Sequence, residues 1–212
     1  MKAKSERKRT DFAKLVYRLR QDIDLYRVIG LNVSQLYEHG QSRAFWGYLQ
    51  ILAHQSIAAT TCKIFEREDR YERNSIPAII SGLPDGAWTQ EQIESVVRVA
   101  AKYGVSAKFS DMKSHLWCAL YCFECSNRKI LDELKDFRNR HVAHSQGGYR
   151  LSALPSIDSF EQVFAFANDF NRVVSDALFG IGPATIESPV GRGAIKVMKA
   201  LEINAPKYDF KE

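Results

Sequence analysis

The feature that most restricts this chain is the spacing of its apolar residues, which recur three or four positions apart over long stretches and nowhere alternate in the two-residue period of a half-buried strand. From Asp11 to about His39, Phe12, Leu15, Val16, Leu19, Ile23, Tyr26, Val28 and Ile29 draw one helical stripe, which Gly30 is placed to kink or divide. A second helix is predicted from Ser42 to about Glu68. Its inner face would carry Phe45, Trp46, Leu49, Ala53, Ile57, Thr60 and Ile64, and its charged end, Glu66 to Arg70, reads as a solvated terminus. Pro77, Gly82, Pro84 and Gly86 mark residues 71–87 as a connector with one short helix begun by Ser75. Thr89 and Gln92 have capping-box spacing, and Gly104 supplies a stop, so a helix is expected from Gln90 to Tyr103. Ser110 is placed to cap the next segment, which either runs unbroken from Asp111 to about His144 or breaks at Ser126-Asn127. Pro155-Ser156 then opens a last long helix with Phe160, Val163, Phe164, Ala167, Phe170, Val174 and Leu178 on one side, closed by Gly180.

The pattern is that of an all-α fold, a helical bundle of about five longer helices. It divides into a basic N-terminal arm (1–10), the bundle (11–180) and a C-terminal extension (181–212). Rich in Pro and Gly, the extension is expected to be mostly irregular, with at most a short helix near Ile195 to Leu201. At 212 residues the chain can bury a core without disulfides or metal. The N-terminus leads into an amphipathic stretch rather than an apolar run with a cleavage site, and no segment has the apolar length of a membrane span; a cytoplasmic protein is expected. The surplus of five positive charges, with an isoelectric point near 9.0, suits polyanionic partners without requiring them.

Two clusters could carry chemistry. Cys118, Cys122 and Cys125, with His115 one turn earlier, have the C-x3-C-x2-C spacing of iron–sulfur radical enzymes. That motif needs a loop, whereas Leu116 to Phe123 is an apolar helix on which the same spacing draws a stripe, so buried, reduced and metal-free cysteines are expected. No cofactor is implied. The other cluster is Phe137-Arg138-Asn139-Arg140-His141-Val142-Ala143-His144-Ser145, which sets fixed positive charge, an amide and two imidazoles at one helix end. Such a set suits a phosphodiester. The plain structural alternative is that Arg138 pairs with Asp136 or Glu133 and that the histidines favour the negative end of the helix dipole.

Arg138, Asn139 and His144 resemble, in order and spacing, the R-x4-6-H signature of the HEPN superfamily (higher eukaryotes and prokaryotes nucleotide-binding). HEPN domains are helical bundles with this signature at the end of a late helix, followed by one more long helix, a place that residues 155–179 would fill. The wording around Arg138, with the Trp46 helix and its acidic end, is most similar to the abortive-infection (AbiU-type) branch. The resemblance implies metal-independent cleavage of RNA by attack of the 2′-hydroxyl, with His144 as general acid or base, Arg138 on the scissile phosphate and Asn139 orienting the pair. It also implies a homodimer with facing motifs, and an antitoxin or other defence-operon partner. Where nucleotidyltransferase-paired relatives carry a Tyr two positions after the His, this chain has Gln146, which argues against neutralisation by modification there.

On a regular helix six residues turn roughly 600°, leaving Arg138 and His144 about 120° apart, so either the helix unwinds or two chains share the site. Arg140, one turn from His144, and His141, one turn from Arg138, are auxiliary phosphate contacts on that geometry. The competing functions are a non-catalytic HEPN-like module that binds a nucleotide, RNA or a protein, and a purely structural dimerisation bundle.

Overall fold

The computed structural model describes residues 2–38, 43–67, 74–83, 86, 88–106, 109, 111–143, 155–179 and 189–203, with backbone alone for 2–9, 141–143 and 176–179. Among these the fold is all-α, with no strand.

The first helix, α1 (Lys2–Leu31), extends back through the basic segment. Asn32, rather than Gly30, separates it from α2 (Val33–Glu38): the buried Asn32 side-chain amide donates to the Val28 carbonyl at 2.8 Å, and the Asn32 backbone carbonyl accepts from Leu36 N–H. That side-chain bond satisfies a terminal carbonyl of α1 inside the protein, which a glycine cannot do. Helix α3 (Arg43–Phe65) buries Trp46, Ala53, Ile57, Thr60 and Ile64 as its spacing predicts, whereas Phe45 is 54% exposed. Trp46 takes the inward position, and Phe45 packs edge-on against its ring at 5.3 Å. Outward from α3 also point Tyr48, Ile51 and Leu52.

Ser75 caps α4 (Ile76–Ser81) by accepting from Ala78 N–H. The Thr89–Gln92 capping box opens α5 (Gln90–Lys102), and Gly104, at φ +86°, takes the left-handed turn that ends it. Asp111, one residue beyond the expected Ser110, caps α6 (Met112–Ser126) by accepting from Ser114 N–H at 2.8 Å; Ser110 lies outside the described residues. The break at Asn127 is present, its amide bonded to the Phe123 carbonyl, and α7 (Arg128–Phe137) follows at once. Ser156 opens α8 (Ile157–Phe179) by accepting from Ser159 N–H.

The main core lies among α1, α3, α6, α7 and α8. Its centre is aromatic: Phe123 stacks on Phe166 at 4.1 Å, Phe65 lies parallel to both, and Phe12 meets Phe170 edge-on. Each such ring, fully buried, stabilises the fold by roughly 1.5–3 kcal/mol. A half-buried charge cluster ties α1 to α8. Arg20 grips the fully buried Asp24 with Nη2 at 2.5 Å and Nε at 3.0 Å, and reaches Glu161 at 3.0 Å, which Arg27 also holds at 2.9 Å.

The tail departs from the expected irregular extension, because Pro189 to Ala200 forms a full helix, α9. Proline at a first helical position costs nothing, since its missing N–H would be unbonded there. The small residues Gly191 and Ala194 let α9 approach α1 closely, where Met198 and Ile203 join Val28, Ile29, Leu36 and Trp46 in a second, smaller core. Among the described residues no helix is long and apolar enough to cross a membrane.

Candidate functional site

Helix α7 turns its apolar seam, Ile130, Leu134 and Phe137, toward the core, and Phe137 fixes the end of the seam by meeting the ring of buried His54 edge-on at 4.2 Å. Directly after this anchor the winding changes. Residues Arg138–Ala143 form a π-helix, with hydrogen bonds five positions apart in place of four. Such wide turns are rare, costly in packing, and concentrated at functional sites. The regular-helix angles therefore do not hold over this stretch: one turn on from Arg138 falls between positions 142 and 143, not at His141. The side chain of His141 and all of His144 lie outside the described residues.

Of the predicted site residues, Arg138, Asn139 and Arg140 are described. Arg138 does not make the ion pair that a purely structural role would give it. Asp136 is taken by Arg140 at 2.9 Å, and Glu133 lies 4.0 Å from Lys129. Among the described residues Arg138 makes no ion pair; its Nη2 and Nε donate to Asn139 Oδ1 at 2.8 and 3.1 Å. The neutral amide orients the guanidinium plane and leaves its positive charge uncompensated.

Arg138 stands at one end of an open groove of about 620 Å³ between α3, α6 and α7. Lys135, one turn earlier, lines the same groove and also makes no ion pair among the described residues. Cys62 of α3 lines the groove with them; burial pushes its thiol up, while the nearby charges of Arg138 and Lys135 pull it down. Sequence reasoning missed the groove. Its signal was present in Glu66-Arg67, which reads as a solvated helix end; Arg67 does stay exposed, but it pairs with Glu124 of α6 across the groove.

The cysteines depart from the expected buried stripe. Cys125 is exposed, and Cys118, Cys122 and Cys62 are half-buried. The inward face of α6 belongs to Met112, Leu116, Ala119, Leu120 and Phe123, and the cysteines fall to its side. His115 is buried and locally bonded: its Nδ1–H donates to the Asp111 carbonyl at 2.9 Å, and Nε2 accepts from Phe109 N–H at 3.3 Å. Among the described residues no three His, Cys, Asp or Glu side chains converge as metal ligands would.

A helical bundle whose late helix ends in an Arg-Asn-Arg-His run, with one long helix after it, is the arrangement of a HEPN domain. The AbiU2 family, an abortive-infection branch of that superfamily, matches residues 3–187, well over half of the chain, and the chain belongs to it. No curated protein and no solved structure gives a match.

Proposed function

We propose that this abortive-infection HEPN domain is a metal-independent endoribonuclease whose reaction centre is the Arg138–His144 segment. What supports the reading is the state of Arg138, a guanidinium oriented by a neutral amide and, among the described residues, without a carboxylate partner at one end of a groove. The 2′-hydroxyl oxygen attacks the adjacent phosphorus, the P–O5′ bond breaks, and a 2′,3′-cyclic phosphate remains with a 5′-hydroxyl. His144 removes the 2′ proton or supplies the 5′ one, as an imidazole does near neutral pH. Arg138 carries the extra negative charge of the five-coordinate phosphorus, where a planar donor fork is worth more than a point charge. Asn139 holds that fork, and Arg140 and His141 are auxiliary contacts to flanking phosphates.

A twofold dimer completes the centre by supplying the second motif. The outward apolar residues of α3, the helix against which α7 and the π segment pack, are a surface such a dimer would cover.

The test incubates labelled RNA with wild type, Arg138→Ala and His144→Ala in EDTA, followed by analysis of the 3′ ends. Wild type is expected to leave cyclic phosphate, and each variant to lose on the order of 10²- to 10⁴-fold in rate with an unchanged circular dichroism spectrum. Intact RNA with wild type refutes the ribonuclease, and cleavage that survives both substitutions moves the centre elsewhere.

A further inference from the structure

The groove beside Arg138 has a lining that a simple phosphate track would not have. Arg67, Arg128, Lys135 and Arg138 face it, but so do Glu66, Glu124 and Asp132. Glu124 pairs with Arg67, and Asp132 lies 3.7 Å from Arg128, so the charge is nearly balanced at the far end and positive only at Lys135 and Arg138. With two of its four cations already engaged by carboxylates, the lining is poorly matched to a run of phosphates. The carboxylates would instead accept hydrogen bonds from the amino edge of a nucleobase. Tyr121, 64% exposed, lines the same groove, and single-stranded bases stack on such rings and on guanidinium planes. The volume, about 620 Å³, is that of a small-ligand cleft.

We infer that this groove is a specificity subsite for one nucleotide flanking the scissile phosphate of single-stranded RNA. Its phosphate lies on Lys135 beside Arg138, its base stacks on Tyr121, and an exocyclic amino group meets the carboxylates, so cytosine is preferred over uracil. The placement of Lys135 three residues before Arg138 on one face of the helix makes the two phosphate contacts neighbours. The inference rests on the ribonuclease reading for which phosphate is cut, but its base and phosphate contacts can be measured without cleavage.

The test is fluorescence anisotropy of full-length protein with labelled 2′-O-methyl oligocytidylate and oligouridylate, which lack the attacking hydroxyl and cannot be cut. Oligocytidylate should bind more tightly. Tyr121→Ala should weaken it roughly 5- to 100-fold while Tyr121→Phe retains it, and Lys135→Ala should weaken both oligonucleotides and lower the slope of log affinity against log salt by about one. Joint Glu124→Gln and Asp132→Asn substitution should narrow the difference between cytosine and uracil. These side chains are surface-exposed or groove-lining, and an unchanged circular dichroism spectrum checks the fold. Equal binding of the two oligonucleotides, Tyr121→Phe losing as much as Tyr121→Ala, or indifference to Lys135→Ala overturns the subsite. Wild type that binds neither oligonucleotide overturns it in favour of a protein segment as occupant. If binding shows the expected pattern while ordinary RNA stays intact in EDTA, the subsite stands and the ribonuclease falls. Cleavage whose rate and cut sites ignore Tyr121→Ala and Lys135→Ala has the opposite meaning: the ribonuclease stands and the subsite falls.

Discussion

Replacing Arg20 by leucine should be among the most damaging single changes available to this bundle, and the size of the loss can be bounded from the geometry. Asp24 is fully buried and takes both Nε and Nη2 of Arg20; among the described residues it has no other cation. Removing one member of a buried pair typically costs about 3–5 kcal/mol, because the other charge stays behind without solvent. A carboxyl can escape by taking up a proton, which costs about 1.4 kcal/mol for each pH unit above roughly pH 4. That route limits the loss to about 4 kcal/mol at pH 7 and to roughly a third of that at pH 5. Glu161 adds little, since Arg27 still holds it. A loss of about 3–4 kcal/mol in a chain of this size lowers the melting temperature by roughly 6–16 °C. Urea melts of wild type, Arg20→Leu and Arg20→Leu with Asp24→Leu, at pH 7 and pH 5, measure it. The double variant should recover most of the loss, since an apolar pair of similar volume removes the stranded charge. A single-variant loss below about 1 kcal/mol, or a double variant less stable than the single, would refute the reasoning.

Two further outcomes are expected. Arg138→Ala should slow alkylation of Cys62 by iodoacetamide at mildly alkaline pH relative to Cys125, since the guanidinium helps to lower a thiol that burial raises; peptide mass mapping reads the ratio, and an unchanged ratio would separate the two side chains. Burial raises Asp22 above the ordinary carboxylate range, against the opposing pull of Ser56 and Arg18, so its ionised form opposes folding above that raised value and the penalty fades as pH falls through it. Asp22→Asn should therefore stabilise the protein at pH 7 and do so less at pH 4; a constant or inverted difference in melting temperature would contradict this.

Local chemistry made much of the bundle legible. Thr89, Gln92 and Gly104 bound α5 because both caps are satisfied within four residues of sequence, and the Asn127 break needs only its own side chain and the Phe123 carbonyl. What the sequence hid depends on partners far along the chain. Pro189, Gly191 and Gly193 read as irregular because their helix is stabilised by α1, not by propensity. Phe45 and Trp46 both border the inner stripe of α3, and the second core takes Trp46. At the site, Arg138 and Asn139 were legible from their order, while the π winding and the groove were not: both arise where Phe137 locks against His54 and the end of α3 turns toward α6.

The second core also bears on how the chain comes to be folded. Val28 and Ile29 of α1 can find α9 only after nearly all the intervening helices exist, because the two partners sit at opposite ends of the described sequence. Contacts that distant are slow to close, and the surfaces awaiting them remain sticky in the meantime. During synthesis on a ribosome the second half of α1 therefore emerges with an apolar side that Leu36 and Trp46 cover only in part until α9 is made. The main core, by contrast, can assemble once α8 is out. A nascent chain of this protein passes through a stage with one core built and the other open, and that stage is where a chaperone would have most to hold.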